Sequence, residues 1–329
     1  MLQSRMMRWV LFFTLILINQ NSLAKTCRDE LLGKFYQIGL QQNKSKIMAK
    51  KYFNSKEYRQ TGFNFYASNN HFQSIIKIPH SEVVYITGSN KKNMSGDLII
   101  VDHEKKKLVK KFKISKNDFW HPGGMGILDQ TMSIPLESKD NPAKIVFYNV
   151  SDPFNPQIDS KPFDTKFKDA MATTMFRAKI DNELIPILLV KGHNEYYFYR
   201  AQTNDLNDGF SPQVYGLVHE RDILSKYKKK YFYHGQNVSY LKSCGEYHYF
   251  IEGLTSVLNY FKNSIQLIEL NWKSLETKLV ARKKLKCGGY CHFRAGSGAI
   301  FEDDKIKFIG VPFHRKGKGM LKYKIFYLE

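Results

Sequence analysis

The chain has 329 residues, 43% hydrophobic and 14% aromatic, with 10 prolines and 21 glycines. That apolar supply is enough for a well-buried core, and it excludes a disordered or collagen-like chain, an integral membrane bundle and a disulfide-dense miniprotein. Fifty-one Lys and Arg against 30 Asp and Glu give a net charge of +21, so an anionic partner is expected: polysaccharide, phosphate-rich surface, nucleic acid or acidic protein.

Residues 1–24 read as a secretory signal peptide. Arg5 and Arg8 supply the charged start, residues 9–18 are a continuous apolar run, and Ser22-Leu23-Ala24 is a small-x-small cleavage site. The apolar run is about half of the ~20 residues that a membrane-spanning helix needs. Cleavage would leave a secreted or periplasmic chain beginning at Lys25, still at +19 once Arg5 and Arg8 are gone, with no later transmembrane segment. The four cysteines, Cys27, Cys244, Cys287 and Cys291, fit two disulfides in an oxidising compartment, with three connectivities open. Gly288 and Gly289 permit a local Cys287–Cys291 bridge, which would leave Cys27 to pin the N-terminal segment to Cys244.

Residues 25–60 read as an N-terminal cap and linker, with a short helix expected over 29–40 and a lysine-rich connector after it. From 61 to 329 the pattern is all-β. Short runs rich in Ile, Val, Tyr and Phe recur between turn residues, beginning with 72–78, 83–87, 97–102 and 108–114. Four antiparallel strands in about 45 residues make one propeller blade. The unit recurs from residues 124, 172, 236 and 296, with Ile76, Ile127, Phe176, Tyr240 and Ile300 as equivalent positions on the first strand of each. The expected architecture is a five-bladed β-propeller with a short N-terminal cap. The last unit stops at its third strand, so the alternating aromatics of Phe63 to Ala67 are expected to pair beside the C-terminal strand and close the ring.

Residues 143–156, AKIVFYNVSDPFNP, resemble the repeat of exported bacterial β-propellers whose blades read LVIVDVSDPxNP, and residues 95–102, SGDLIIVD, are similar to its first half. The resemblance implies propeller architecture and export. It implies no single activity.

In a propeller the loops entering the first strand of each blade converge on one end of the central channel. Here those positions are polar: His71 and Gln73, His121, Arg177, His234 with Gln236 and Asn237, and Arg294 with Ser297. Glycines 123, 124, 235, 296 and 298 beside them either admit a ligand close to the backbone or crowd a narrow axis. Such a mouth suits a binding scaffold for an anionic or polyhydroxylated ligand, whether glycan, phosphate or acidic protein, on a monomeric chain without a cofactor. The alternative is a metal-dependent lyase or hydrolase of an acidic polymer, with one divalent metal on His71, His121 and His234. No Gly-x-Ser-x-Gly elbow, phosphate-binding loop or His-Glu-x-x-His motif is present. Asp97, Asp102, Glu137, Asp152 and Asp303 fall on outer strands or turns, which argues against a glycosidase. The lysine runs at 105–107, 110–111 and 228–230 read as solvated faces, which argues against nucleic acid.

Overall fold

A computed structural model describes residues 23–38, 50–52, 70–90, 94–105, 107–219, 233–256, 263–285, 292–293, 296–311 and 322–326. Their strands form five antiparallel sheets. The first contains Asn70–Lys77, Val83–Asn90, Ser95–Asp102 and Lys107–Lys116 in sequential order. The second opens with two short segments, His121–Pro122 and Gly126–Leu128, both paired with Thr131–Glu137, and continues through Lys144–Asn149. The third runs Ala172–Ile180, Glu183–Lys191, Glu195–Ala201 and Phe210–His219. The fourth sets Tyr233–His234 and Val238–Cys244 against Tyr247–Ser256, followed by Asn263–Asn271 and Thr277–Leu285. The fifth is Ser297–Glu302, Lys305–Gly310 and Lys322–Phe326, completed by Lys50–Tyr52.

The first strands of neighbouring sheets lie side by side. The Met125 N–H donates to Ser74 Oγ (3.3 Å) between the first two sheets. Gly124 and Ala172 form a parallel bridge between the second and third. The Tyr240 N–H donates to Thr174 Oγ1 (3.1 Å), and that of Ala299 to Ser239 Oγ (3.0 Å). Between the fifth sheet and the first, a Cβ at Gly298 would sit 2.0 Å from the Ile75 carbonyl oxygen, an approach only glycine permits. Sequential four-stranded meanders with adjoining first strands define an all-β propeller. Ile76, Ile127, Phe176, Tyr240 and Ile300 all fall on those first strands. Of the glycines singled out in the sequence, Gly124 and Gly298 lie where first strands of neighbouring sheets crowd together, and Gly126 does the same against Thr174.

Apolar clusters fill the wedges between sheets. The largest gathers Phe147, Phe176, Phe198, Phe250 and Trp272 from the second, third and fourth. Another, from the first and fifth, is built on Ile75, Val84, Ile99, Ile309 and Val311. Residues 23–37 are helical and lay Leu31, Phe35 and Ile38 against Leu241, Tyr249 and Phe308 of the last two sheets. The helix therefore begins before residue 29, inside the expected signal segment, whose residues 1–22 lie outside the described residues. A Cys27–Cys244 disulfide pins it, with Cα atoms 5.7 Å apart, and Arg28 Nε pairs with Glu269 at 3.1 Å. Cys287 and Cys291 lie outside the described residues.

One expectation is corrected. The strand beside Lys322–Phe326 is Lys50–Tyr52, with Lys50 opposite Lys324 and Tyr52 opposite Lys322. Phe63 to Ala67, expected in that place, lie outside the described residues. The fifth sheet is completed by a backbone pairing three residues long, which needs none of the aromatic alternation that made the later segment look like the closing strand.

Candidate functional site

The entry ends of the first strands carry the polar side chains read from the sequence, and two of them meet. Gln73 Nε2 lies 2.8 Å from His121 Nε2 and 3.4 Å from Ser89 Oγ. His121 Nδ1 is 2.6 Å from Glu137 Oε2. An amide nitrogen only donates, so Nε2 of the imidazole accepts and its proton sits on Nδ1, facing the carboxylate. Gln73 is buried, whereas the His121 and Glu137 side chains are 21% and 20% exposed. The Trp120 indole stands edge-on to the imidazole, ring centroids 5.3 Å apart. The backbone produces this cluster directly. His121 pairs with Glu137, which puts both side chains on the same face at the rim of the second sheet. A bulge between Phe72 and Ser74 leaves Gln73 out of the ladder.

Asn237 belongs to the same end. It is buried, its Oδ1 is 2.9 Å from where a Cβ on Gly124 would stand, and neither amide atom has a hydrogen-bond partner among the described residues. Gln236 precedes it, half-buried. Ser297 is buried and its hydroxyl donates to the Phe293 carbonyl (3.1 Å), so it ties the fifth sheet to the segment before it. The backbones of His71 and His234 sit opposite Ser89 and Thr255. Their side chains, and Arg294, lie outside the described residues.

Arg177 does not join the mouth. It lies five residues along the strand from Ala172, roughly 17 Å at the usual rise, and pairs with Pro186 near the far turn. Its guanidinium donates to Asp129 Oδ2 (2.8 Å) and to the Asn204 carbonyl (3.0 Å). The third unit begins at Ala172, so an arginine that close in sequence to Thr173 and Thr174 still emerges at the opposite end.

The sequence reading missed two partners. Glu137 was placed on an outer position, yet it is the carboxylate that orients His121. Deeper at the entry end, Lys191 Nζ meets Glu252 Oε1 at 2.7 Å between the third and fourth sheets, with side chains 2% and 0% exposed. Tyr196 Oη (2.6 Å) and Gln266 Nε2 (2.7 Å) donate to the same carboxylate. The available signal was a charge within or ending an apolar run: Lys191 after residues 184–190, and Glu252 within 247–254. Such a pair is satisfied, buried and without an opening. An oriented imidazole is chemically a base, but here Nε2 is already bonded to an amide, where catalysis would need a substrate or nucleophile. Among the described residues no group of three or more His, Cys, Asp or Glu is placed to hold a metal ion, and no helix is long and apolar enough to cross a membrane.

No protein-family model matches the chain, and no curated protein does. Solved structures similar to it include a thermostable family-43 glycoside hydrolase, 10% identical, with 81% of this chain and 92% of that one covered at a TM-score of 0.46. The α-L-arabinofuranosidase of Podospora anserina, in complex with cellotriose, is 7% identical over 80% and 92% of the chains at 0.44. The Pan2 WD40 domain of Neurospora crassa is 8% identical over 84% and 95% at 0.35.

Proposed function

We propose that the chain is an exported propeller whose five sheets are the blades of one closed ring, and that it is a binding scaffold for an anionic or polyhydroxylated ligand at the entry end. The observation that carries this reading is the His121 imidazole, one-fifth exposed, held on one nitrogen by Glu137 and on the other by Gln73, with Trp120 beside it. The unused acceptor directions of the Glu137 carboxylate suit sugar hydroxyls, and the Trp120 and His121 rings at the rim suit sugar C–H faces. A carboxylate in the site disfavours a free anion there, so within the proposed class a hydroxyl-rich glycan fits better. Export is supported by the charged and apolar start of the chain and by the Cys27–Cys244 disulfide.

Both ring nitrogens of His121 are occupied by protein groups, which favours an organic ligand over a metal held by His71, His121 and His234. A glycan array followed by titration of the best binder tests the reading. His121→Ala should weaken that binder at least tenfold, with metal content unchanged. One divalent metal per purified chain, lost in His121→Ala, would replace this reading with the metal-dependent lyase or hydrolase.

A further inference from the structure

At the exit end of the first strands, between the second and third sheets, lies a cleft of about 570 Å³. That volume is in the range of small-ligand sites. Its lining is almost wholly polar: Asp129, Thr131, Asn149, Asp159, Arg177 and Asn207 are the groups that matter here. We propose that this cleft is a second binding site, for a neutral polyhydroxylated molecule of one or two sugar rings, independent of the entry-end reading.

The polar heads are fixed in place by the fold. Arg177 is held by Asp129 Oδ2 at 2.8 Å and by the Asn204 carbonyl at 3.0 Å. Asp129 occupies the turn after Gly126–Leu128 with φ 54, a left-handed conformation that short polar side chains tolerate. Thr131 Oγ1 donates to Asp159 Oδ2 (2.9 Å). Asp205 Oδ1 accepts from the Asn207 N–H (2.9 Å) and shapes the short helical turn Leu206–Asp208 at the cleft wall. These bonds use part of each group's capacity. A carboxylate accepts about four hydrogen bonds and a guanidinium offers five N–H donors, so the heads retain directions for a ligand.

The balance of charge selects the ligand class. Asp129, Asp159 and Asp205 stand against Arg177 alone, so the lining is acidic in a chain of net charge +21. An anion meets three carboxylates there. A cation must approach a strongly positive molecule and lie against a guanidinium. A neutral diol does neither. One hydroxyl donates to an aspartate while its neighbour accepts from Arg177, and Asn149 and Asn207 take further hydroxyls in either sense. The lack of an aromatic platform among these groups fits a short ligand held by hydrogen bonds.

Saturation-transfer NMR on the purified chain with glucose, xylose, glucuronate and glucosamine is the test. A neutral sugar should receive saturation and the two charged sugars little or none. Made in the His121→Ala background, so that the entry end cannot supply the signal, Asn207→Trp, an exposed position on the wall, should fill the cleft and abolish the signal with the melting midpoint unchanged. Arg177→Gln and Asp159→Asn should each weaken affinity at least tenfold, and His121→Ala should leave it within twofold. Absence of any neutral-sugar signal, preference for a charged sugar, persistence in the double variant His121→Ala/Asn207→Trp, or loss in His121→Ala would each overturn the proposal.

Discussion

The third and fourth sheets meet through large aromatic side chains; the fifth and first meet through aliphatic packing, a glycine contact and an ion-paired carboxylate. At the former seam Phe176 stacks on Tyr240 (5.4 Å, 25°) and stands edge-on to Phe250 and Trp272, and above them Lys191 and Glu252 are sealed with Tyr196 and Gln266. At the latter, Gly298 presses on the Ile75 carbonyl, and Glu302 gathers Lys77 (3.1 Å), Lys307 and the His80 N–H. Burial pushes the Glu302 carboxyl up, but these hydrogen bonds outweigh it and leave it below its ordinary value. The same end of the chain supplies the strand that completes the fifth sheet. The contrast teaches that neighbouring sheets can be joined by different means: aromatic stacking at one seam, and at the other a close backbone approach permitted by glycine together with aliphatic packing and ion pairs.

The severest test concerns the strand completing the fifth sheet: deletion of residues 320–329. It removes Lys322–Phe326, which links Lys305–Gly310 to Lys50–Tyr52, and calorimetry should lose the single cooperative melt. A truncated chain that melts like the parent would show that this strand contributes little. At the seam of the third and fourth sheets, Lys191→Met or Glu252→Gln leaves one buried group without its partner. Each should cost about 3–5 kcal/mol, roughly 10 °C in melting midpoint. Restoring most of that loss in the double variant Lys191→Met/Glu252→Leu would show that pairing, not charge, matters there.

Gly298→Ala sharpens the comparison from the other side. Its Cβ would meet a main-chain oxygen that cannot move alone, so a loss of about 3 kcal/mol is expected in chemical denaturation. The smallest expected effect is pH-dependent. His248 is buried among Phe176, Tyr240 and Trp272, and desolvation lowers its pKa from 6.5 to about 4. The unfolded chain therefore binds the proton first. Stability is complete above pH 6.5 and declines as the pH falls towards 4, by about 2 kcal/mol at pH 5 from this group. His248→Phe should flatten that part of the profile relative to the parent. Identical pH profiles would remove His248 from the account.

Much of the fold was legible in local pattern. Short, nearly continuous apolar runs between turn residues mark strands buried on both faces, so 83–87, 97–102, 131–137 and 184–190 lie within observed strands. The repeat of that pattern located the first strand of every sheet, and the sparse cysteines left few ways to tie down the N-terminal segment, of which Cys27–Cys244 is realised. The candidate site was half legible. Gln73 and His121 were identified as mouth residues, but Glu137, sixteen residues beyond His121, was not, because only pairing register sets which two side chains share a rim.

Sequence by itself therefore determined the strands, their grouping into repeated antiparallel units and the basic character of the chain, since each rests on interactions within a few residues or on composition. Tertiary structure alone decided that Lys191 and Glu252, sixty-one residues apart, neutralise each other inside a seam; that Arg177 emerges opposite the mouth beside Asp129; and that Lys50–Tyr52 completes the last sheet. A buried charge looks the same in sequence as an exposed one until its partner is known. A three-residue strand rich in lysine has no burial pattern to announce it. Both are settled only when each sheet edge takes the neighbour that geometry puts within hydrogen-bond reach.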